Sequence, residues 1–354
     1  MGAKAPMPKE TEKVNALGNP IEQGKSAIIP AARLSVAPMM DWTDRHCRYL
    51  HRLLSRHTLL YTEMVTAPAV IHGDVDRLLG FDPAEHPVAL QLGGSDPDQL
   101  AQATRVGCDF GYGEVNLNVG CPSDRVQSGR FGACLMQEPA LVADCVQAML
   151  EASTGAKITV KCRIGVDDQI PADILPEFLE TVSARGVSSF TIHARMAWLD
   201  GLSPKENRDI PPLDYELVHR MKAEFPNLEI ILNGGIADLD TALEHISRGL
   251  DGAMIGRAAY HTPTDILCTA DRRVFGQGTD STAEDAVAQM LPYIENHLSK
   301  GGRLNQITRH MLGLFAGRAG ARQWRRTLSE QAHKTGAGPE VVELALSHLT
   351  EVAA

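Results

Sequence analysis

The sequence predicts a TIM (β/α)8 barrel followed by a small C-terminal all-α helical bundle. Eight short apolar runs alternate with helical patterns through most of the chain, at roughly one strand–helix unit per 30 residues. Parallel strands need crossovers of about that length, and eight such units suit the roughly 250 residues of a TIM barrel. Beyond about residue 265 only helical patterns follow, so we expect the bundle there.

Each of the eight apolar runs has the composition of a strand that is buried on both faces. The runs are rich in Val, Ile, Leu or Thr, and they end in Gly or in polar residues. They occupy residues 33–39, 58–64, 87–93, 113–120, 157–165, 188–195, 228–235 and 251–257. We therefore expect all eight to belong to one parallel sheet.

Helical periodicity fills the intervals between the strands, as at 96–106, 138–153 and 175–186. The pattern at 238–249 begins with Asp and ends with Gly, which are common start and stop signals of a helix. A doubly wound open sheet would also alternate strands with helices. The count of eight, and the absence of a GxGxxG motif after the first strand, favour the closed barrel.

The chain after residue 265 carries apolar residues at helical spacing in four segments. These are residues 283–300, 304–315, 320–333 and 339–351. Residues 1–28 are polar and show no apolar residues at helical spacing. The resulting division is a flexible tail at 1–28, a barrel domain at 29–265 and a helical domain at 266–354.

Charge is unevenly distributed along the chain. The formal net charge is −10, which by itself argues against binding to nucleic acid. From Lys300 to Leu328, however, there are seven Lys or Arg residues and no Asp or Glu. An acidic body with a basic C-terminal segment indicates a polyanionic partner.

Several protein classes are disfavoured by composition. No apolar run approaches the roughly 18 residues that a membrane helix needs, and the N-terminus lacks the apolar core of a secretory signal. The seven cysteines are odd in number and include no CxxC pair, so we expect neither a disulfide framework nor a metal site. We interpret the chain as a cytoplasmic monomer without a membrane or metal partner.

Polar and small residues follow the otherwise apolar strands, where a TIM barrel has its active site. The residues at the strand ends are, in order, Pro38, Met39 and Met40; Gln91; Asn116 and Asn118; Lys161; His193 and Arg195; Asn233, Gly234 and Gly235; and Gly256 and Arg257. Burying Lys161 or His193 without a partner would cost several kcal/mol. One end of the barrel is therefore expected to hold a ligand with polar and anionic groups.

The glycines after the last two strands specify the anionic part of that ligand. Gly234 and Gly235 follow the seventh strand, and Gly256 precedes Arg257 at the eighth, which is the usual phosphate site of the barrel. Structural interpretations remain open for each candidate. The glycines can be ordinary turns, Lys161 can reach the surface, and His193 can be a core histidine. Gln91 and Asn118 can cap loops.

The stretch NLNVGCPSDRVQSGRFGACLM, residues 116–136, places Cys121 in a loop at the barrel mouth, where loop residues can reach a substrate. Together with six other stretches, it resembles the tRNA-dihydrouridine synthase family over about residues 30–333. These stretches are APMMDWTDRHCR, QLGGSDP, VKCRIGVDD, IHARMAWLDGLSPKENRDIPPLDY, LNGGI and TRHMLGLFAGRAGARQWRR. The Cys121 stretch and GLSPKENR resemble the type that acts on positions 20 and 20a of the D-loop.

This resemblance implies an FMN-binding barrel, a helical tRNA-binding domain and reduction of uridine to 5,6-dihydrouridine with NADPH. It places the catalytic acid at Cys121. The implied flavin contacts are Pro38, Met39, Met40, Gln91, Lys161 and His193, with Asn233, Gly234, Gly235, Gly256 and Arg257 around the phosphate. The implied tRNA contacts are Asn118, Lys205, Arg208, Arg322 and Arg325.

The implied reaction gives Cys121 a defined chemical task. Reduced flavin would supply a hydride to carbon 6 of the uracil, and an acid on the opposite face would protonate carbon 5. A free thiol has a pKa of about 8.5, so it is largely protonated at neutral pH and can still release its proton. Lys161 would stabilise negative charge on the reduced flavin ring. The target uracil must leave its base stack in the tRNA to reach the flavin ring.

Two other functions remain as alternatives. A reductase or dehydrogenase of free pyrimidines, such as a dihydroorotate dehydrogenase, would share the FMN barrel but would not need the basic GARQWRR segment. An RNA-binding protein with a vestigial site would keep the basic segment, but the presence of Cys121, Lys161 and His193 argues against it.

Overall fold

Eight parallel strands close into a barrel in the computed structural model of the chain, which describes residues 30–123 and 129–350. Each strand pairs with the next in sequence, and β8 pairs with β1, so the sheet has no free edge. The strands are β1 Leu34–Val36, β2 Leu59–Thr66, β3 Val88–Gly93, β4 Glu114–Val119, β5 Lys157–Arg163, β6 Ser189–His193, β7 Glu229–Asn233 and β8 Gly252–Ile255. The predicted TIM barrel is confirmed.

Helices follow the strands and cover the outside of the barrel. Through the barrel they are α1 Arg45–Leu54, α2 Ala67–His72, α3 Val75–Leu79, α4 Pro97–Asp109, α5 Pro139–Ala152, α6 Pro171–Ser183, α7 Glu206–Asp209, α8 Tyr215–Glu224, α9 Leu239–Ser247 and α10 Arg257–His261. After it come α11 Pro263–Leu267, α12 Ala270–Phe275, α13 Ala283–Ser299, α14 Leu304–Thr308, α15 Ala321–Gln331 and α16 Pro339–Thr350. The predicted helical C-terminal region is therefore present.

The helix starts follow local sequence signals. Asp44, Asp96 and Asp238 precede α1, α4 and α9, and the carboxylate of each accepts a hydrogen bond from a backbone N–H in the first turn. Proline stands first in α4 and α5, where its missing N–H leaves no hydrogen bond unmade. The predicted start of α9 at Asp238 is correct because the Asp238 carboxylate caps the first turn of this helix.

Apolar packing fills the lower part of the barrel and leaves the upper end to polar groups. A buried cluster inside the barrel consists of Ala32, Ala37, Leu59, Tyr61, Ala89, Ile231 and Met254, with Met39 packed against it. Tyr61 donates a 2.5 Å hydrogen bond to Glu114, so the hydroxyl of this buried ring is satisfied.

The C-terminal helices pack on α1. Tyr293 of α13 stacks on Tyr49 with ring centroids 4.0 Å apart, and its hydroxyl is 2.8 Å from His46 Nδ1. The described residues from Ala31 onward form one compact unit. The predicted division between residues 265 and 266 stays a prediction, and the predicted tail at 1–28 lies outside the described residues.

One predicted helix is wrong in its extent. The sequence predicts a helix over 304–315, but α14 ends at Thr308 and is followed by successive turns. A β-carbon at Gly313 would lie within 3.1 Å of Pro263 and closer still to the His261 backbone. The apolar residues of 309–316 are buried by this close approach to the barrel, and helical spacing alone does not distinguish the two arrangements.

Cys145 and Cys162, which the sequence assigns to packing, are fully buried, and Cys108 is half-buried. No helix in the described ranges is long and apolar enough to cross a membrane. Within those ranges, no three His, Cys, Asp or Glu side chains are grouped so that they could share a metal ion. Residues 124–128 of the Cys121 stretch lie outside the described residues.

Candidate active site

The residues predicted at separate strand ends form a band around the C-terminal end of the barrel. Strand register aligns those that lie within the strands with residues of neighbouring strands. The register pairs are Gln91 with Asn116, Asn118 with Lys161, Arg163 with His193, and His193 with Asn233. Closure of the barrel thus brings together residues that lie more than a hundred positions apart in the chain.

Side-chain hydrogen bonds connect the residues of β3, β4 and β5. Gln91 Nε2 donates to Asn116 Oδ1 over 2.9 Å, and Asn118 Nδ2 donates to Gln91 Oε1 over 2.8 Å. Asn116 donates to Thr159 Oγ1 over 2.8 Å, and the Thr159 hydroxyl donates to Glu114 over 2.7 Å. All five side chains are buried. A buried network with every member bonded holds its amides in fixed orientations.

Asn118 also fixes the start of the loop that carries Cys121. Its Oδ1 accepts hydrogen bonds from the backbone N–H of Gly120 at 3.1 Å and of Cys121 at 3.0 Å. The Ala133 N–H donates to the Cys121 carbonyl over 2.9 Å. The Cys121 side chain is half-buried, and its thiol donates to Ser123 Oγ at 3.5 Å. The backbone of Cys121 is thus held, and the residue keeps part of its surface exposed.

Lys161 lies at the C-terminal end of β5 without a protein partner. Its ammonium makes no hydrogen bond or ion pair with any residue that the structure describes. Enclosure by the barrel, with repulsion from Arg163, lowers the pKa of Lys161 to about 8. A half-buried cation with no partner among the described residues is unfavourable, so this position is suited to an anionic ligand.

His193 is buried at the end of β6, with 8% of its surface exposed. Burial, followed by repulsion from Arg163 and Lys161, holds the pKa of His193 well below its usual range. The imidazole is therefore neutral at pH 7. One ring nitrogen donates a hydrogen bond and the other accepts one, which fits a polar but uncharged group of a ligand.

Arg163 is a residue of the site that our sequence reasoning missed. Its guanidinium is buried beside Cys121 and donates to three backbone carbonyls: Gly120 at 3.0 Å, Met196 at 2.9 Å and Asn207 at 2.9 Å. It thereby connects the Cys121 loop to the segment after β6. Strand periodicity contained the signal, because a residue two positions after Lys161 lies on the same face of β5.

The predicted phosphate site has the form of a backbone cradle. The N–H groups of Gly234 and Gly235 donate to no residue that the structure describes. Both glycines have positive φ, 105° and 71°, which a residue with a β-carbon rarely adopts. Asn233, the residue before them, is held by a 2.8 Å hydrogen bond to the Met254 carbonyl. The unpaired N–H groups fit an anion.

Gly256 and Arg257 stand at the start of α10, next to this cradle in the barrel order. Arg257 forms a 2.8 Å ion pair with Asp209. The sequence reasoning did not predict this partner. Pro38, Met39 and Met40 follow β1, and Met40 is 55% exposed while Met39 packs on the barrel core.

Two of the predicted tRNA contacts lie in the segment after β6. Lys205 and Arg208 are exposed at α7, and Asn207 between them is fully buried. Asn207 holds the segment through hydrogen bonds with both backbone groups of Trp198, at 2.7 and 2.8 Å. Partial burial, with repulsion from Arg257, lowers the pKa of Arg208. The structure thus brings Arg208 to the active-site end of the barrel.

The other two predicted tRNA contacts, Arg322 and Arg325, are exposed on one face of α15. Neither forms an ion pair within the described ranges, whereas Arg318 pairs with Glu284 and Arg326 pairs with Glu330. The basic segment therefore contains both neutralised and available cations; the Arg318–Glu284 pair joins residues remote in sequence, whereas Arg326 and Glu330 are four positions apart.

The solved structure of the old yellow enzyme homologue from Zymomonas mobilis resembles this fold. The TM-score is 0.50 and the sequence identity is 14%, over 72% of this chain and 92% of that chain. At this identity the likeness concerns the fold alone. A sequence model of the dihydrouridine synthase (Dus) family matches residues 35–350.

Curated relatives are much closer in sequence. The tRNA-dihydrouridine(20/20a) synthase of Salmonella typhi is 58% identical over 92% of this chain and 98% of that protein. The proteins of the same name from Vibrio cholerae and Escherichia coli K12 are 57% and 56% identical, over 90% and 95% of this chain and 97% and 96% of their own length. The chain belongs to the dihydrouridine synthase family.

Proposed function

We propose that the chain reduces uridine to 5,6-dihydrouridine at positions 20 and 20a in the D-loop of tRNA, with bound FMN and with NADPH as the reductant. The relatives that are 56–58% identical carry the name of this activity. Within the structure, the observation that supports it most directly is the half-buried Cys121, whose loop is fixed by Asn118 at the barrel end where Lys161 has no hydrogen-bond or ion-pair partner among the described residues.

The residues present fit FMN. The free N–H groups of Gly234 and Gly235, next to Arg257, would hold its phosphate. Lys161 would face an electron-rich part of the ring system, and neutral His193 would hydrogen-bond to a ring heteroatom or carbonyl. Gln91, Pro38, Met39 and Met40 complete the predicted set. FMN, when bound and reduced, supplies the hydride.

The chain's own residues supply the proton and the positioning. Cys121 gives its thiol proton to carbon 5 of the uracil, and it is held in place because its N–H donates to Asn118 Oδ1 and its carbonyl accepts from the Ala133 N–H. Lys161 would place a positive charge beside the flavin ring, which becomes negatively charged when it is reduced. The family resemblance assigns Asn118 to tRNA binding. Asn118 can contribute to this binding by positioning the Cys121 loop, while its side-chain amide keeps its hydrogen bonds to Gln91 and Gly120.

tRNA is proposed to bind across the active-site end of the barrel and the C-terminal helices. Lys205 and Arg208 would contact it beside the active site, and Arg322 and Arg325 would contact it from α15. Phosphate contacts of this kind supply affinity and position, while the extruded uridine enters the site.

The deciding experiment incubates the purified chain with unmodified tRNA and NADPH and maps dihydrouridine by position. We expect product at 20 and 20a, and FMN on denaturation of the protein. Free uracil and dihydroorotate serve as comparison substrates. Turnover of either free pyrimidine, with none on tRNA, would refute the proposal in favour of a free-pyrimidine enzyme.

The proposed contact of Lys161 predicts a pH dependence of FMN binding. The pKa of Lys161 is lowered to about 8, so above pH 8 the flavin-free protein loses this proton, while a bound anion favours the charged form. Binding then takes up a proton, and affinity should fall by up to about tenfold per pH unit above pH 8. Below pH 8 the lysine is charged in both states, so this dependence disappears. Flavin-fluorescence titrations from pH 6.5 to 9.5 measure it.

Lys161→Met should bind FMN more weakly at pH 7 and show no such slope. Lys157→Met is the matched control, because Lys157 lies at the opposite end of the same strand and pairs with Glu229. Identical pH curves for the wild type and Lys161→Met would show that Lys161 does not face the flavin.

The two available arginines of α15 predict a salt-dependent loss of tRNA affinity. Arg322→Ala with Arg325→Ala should weaken tRNA binding and lower the slope of log affinity against log salt by about two units, since each lost phosphate contact removes about one. Affinities measured at several salt concentrations test this. FMN content should stay unchanged.

The matched control is Arg318→Ala with Arg326→Ala, which removes two arginines of the same basic segment that already have acidic partners. Its slope should change little. If the two double variants behave alike, net charge rather than these two positions determines tRNA binding.

A further inference from the structure

A cavity of about 620 Å³ lies where the barrel meets the C-terminal segment, apart from the residues assigned to flavin and uridine. Three chain segments form it: the turn after β1, helix α10 after β8, and the C-terminal segment with α15. Its chemically distinctive lining residues are Asp41, Trp42, Tyr260, His261, Arg309 and Arg325. The volume falls within the range of small-ligand sites, about 300–1,000 Å³.

The cavity has an aromatic wall. Trp42 stacks on Tyr260 with ring centroids 4.6 Å apart and planes 10° from parallel, and His261 meets Trp42 edge-on at 4.9 Å. The Tyr260 hydroxyl is 3.2 Å from His310 Nδ1. Trp42 is half-buried and His261 is exposed, so the wall is both supported from behind and accessible. Such rings are stacking surfaces for nucleic acid bases.

The charged groups of the cavity complement a nucleotide. Arg325 is exposed and has no acidic partner within the described ranges. Arg309 is held by Asp44 at 2.5 Å, so its charge is balanced. Asp41 also lines the cavity, and a carboxylate there repels phosphate but accepts hydrogen bonds from base N–H groups. One free cation, one acceptor and an aromatic wall suit a phosphate joined to a base.

We propose that this cavity, here called the Trp42 cavity, binds one unpaired nucleotide of the tRNA in addition to the target uridine. Its base would contact Trp42 and His261, and its phosphate would contact Arg325. This inference rests on the proposed function. RNA is the favoured source because Arg325 belongs to the basic segment and because Asp41 directly follows Met40, so the cavity adjoins the predicted flavin contacts after β1.

The test compares Trp42→Ala, Trp42→Phe and His261→Ala with the wild type, using an unmodified tRNA transcript. Loss of one stacked base should weaken tRNA binding about 5- to 150-fold in Trp42→Ala, which corresponds to about 1–3 kcal/mol. Trp42→Phe should recover most of the affinity, because it keeps a ring against Tyr260. His261→Ala, a change at an exposed side chain, should show a smaller loss of the same kind.

FMN content and the KM for NADPH in tRNA-free flavin reduction are measured on every variant. Both should equal the wild-type values. Unchanged tRNA affinity in folded, FMN-bearing Trp42→Ala would overturn the proposal, and so would a raised KM for NADPH, since the occupant would then be the coenzyme. If Trp42→Ala does not fold, His261→Ala decides by the same two measurements.

The outcome can be separated from a failure of the proposed function. Wild-type chain that forms no dihydrouridine in tRNA would refute the function itself. Wild-type activity together with tRNA affinities that are unaffected by the cavity variants would refute only the second nucleotide site.

Discussion

Cys121→Ala should lose about 10²- to 10⁴-fold of its uridine reduction, the usual contribution of general acid catalysis. The variant removes the proton that carbon 5 needs, while the backbone hydrogen bonds of residue 121 to Asn118 and Ala133 do not depend on its side chain. tRNA affinity and FMN content should therefore stay near wild type. NADPH should still bleach the flavin absorbance, because that half-reaction involves no uracil.

Cys134→Ala is the matched control for this experiment. Cys134 belongs to the same stretch of sequence, is also half-buried, and donates to the Phe131 carbonyl at 3.2 Å. Its variant should retain activity. Near wild-type rates in Cys121→Ala would show that another group protonates the uracil, and loss of FMN from that variant would show that Cys121 is structural.

Gly234→Ala should lower FMN affinity by about ten- to a hundredfold. At φ 105° the new β-carbon would lie 2.7 Å from His193 Nε2 and closer still to its Cδ2, so the imidazole would have to move. Displacement of His193 and of the turn beside it would weaken the proposed flavin contacts, and a ten- to hundredfold loss corresponds to about 1.4–2.8 kcal/mol of binding free energy. FMN content of the purified protein and flavin-fluorescence titration measure the loss.

Gly249→Ala is the control that separates the effect of backbone strain from the effect of disturbing the candidate FMN site. Gly249 has nearly the same φ, 108°, and a β-carbon there would meet nothing within 4 Å. It lies between α9 and β8, at the end of the barrel away from the candidate site. Its variant should lose some stability but keep FMN. Equal FMN loss in the two variants would mean that backbone strain, and not the cradle beside His193, explains the effect.

The barrel could be predicted because its signals are local. Eight buried runs, helix caps such as Asp238 and the glycines after β7 each depend on a few neighbouring residues. Parallel strands of a closed barrel have their C-terminal ends on the same side, so Gln91, Lys161 and His193 could be assigned to one site without coordinates. Helical spacing failed at 309–315, where contact with the barrel overrides a local pattern.

The connections between distant segments could not be predicted. Arg163 reaches the carbonyls of Gly120, Met196 and Asn207, and Arg257 pairs with Asp209. Each contact depends on how loops from different strands pack once the barrel is closed. Backbone carbonyls are common to every residue, so no residue type in the sequence identifies them as partners.

The sequence by itself determined the fold, the end of the barrel that carries the site, and the family resemblance, because buried strands and strand-end residues have a characteristic local composition. The tertiary structure was needed to show that Arg318 is neutralised, because its partner Glu284 lies in a segment remote in sequence, whereas Arg326 pairs with Glu330 four residues on in the same helix and Arg325 pairs with no acidic residue in the described ranges. It alone also brought Trp42, His261 and Arg325 to one cavity, because packing of the C-terminal segment on the barrel encloses a space that no single segment contains.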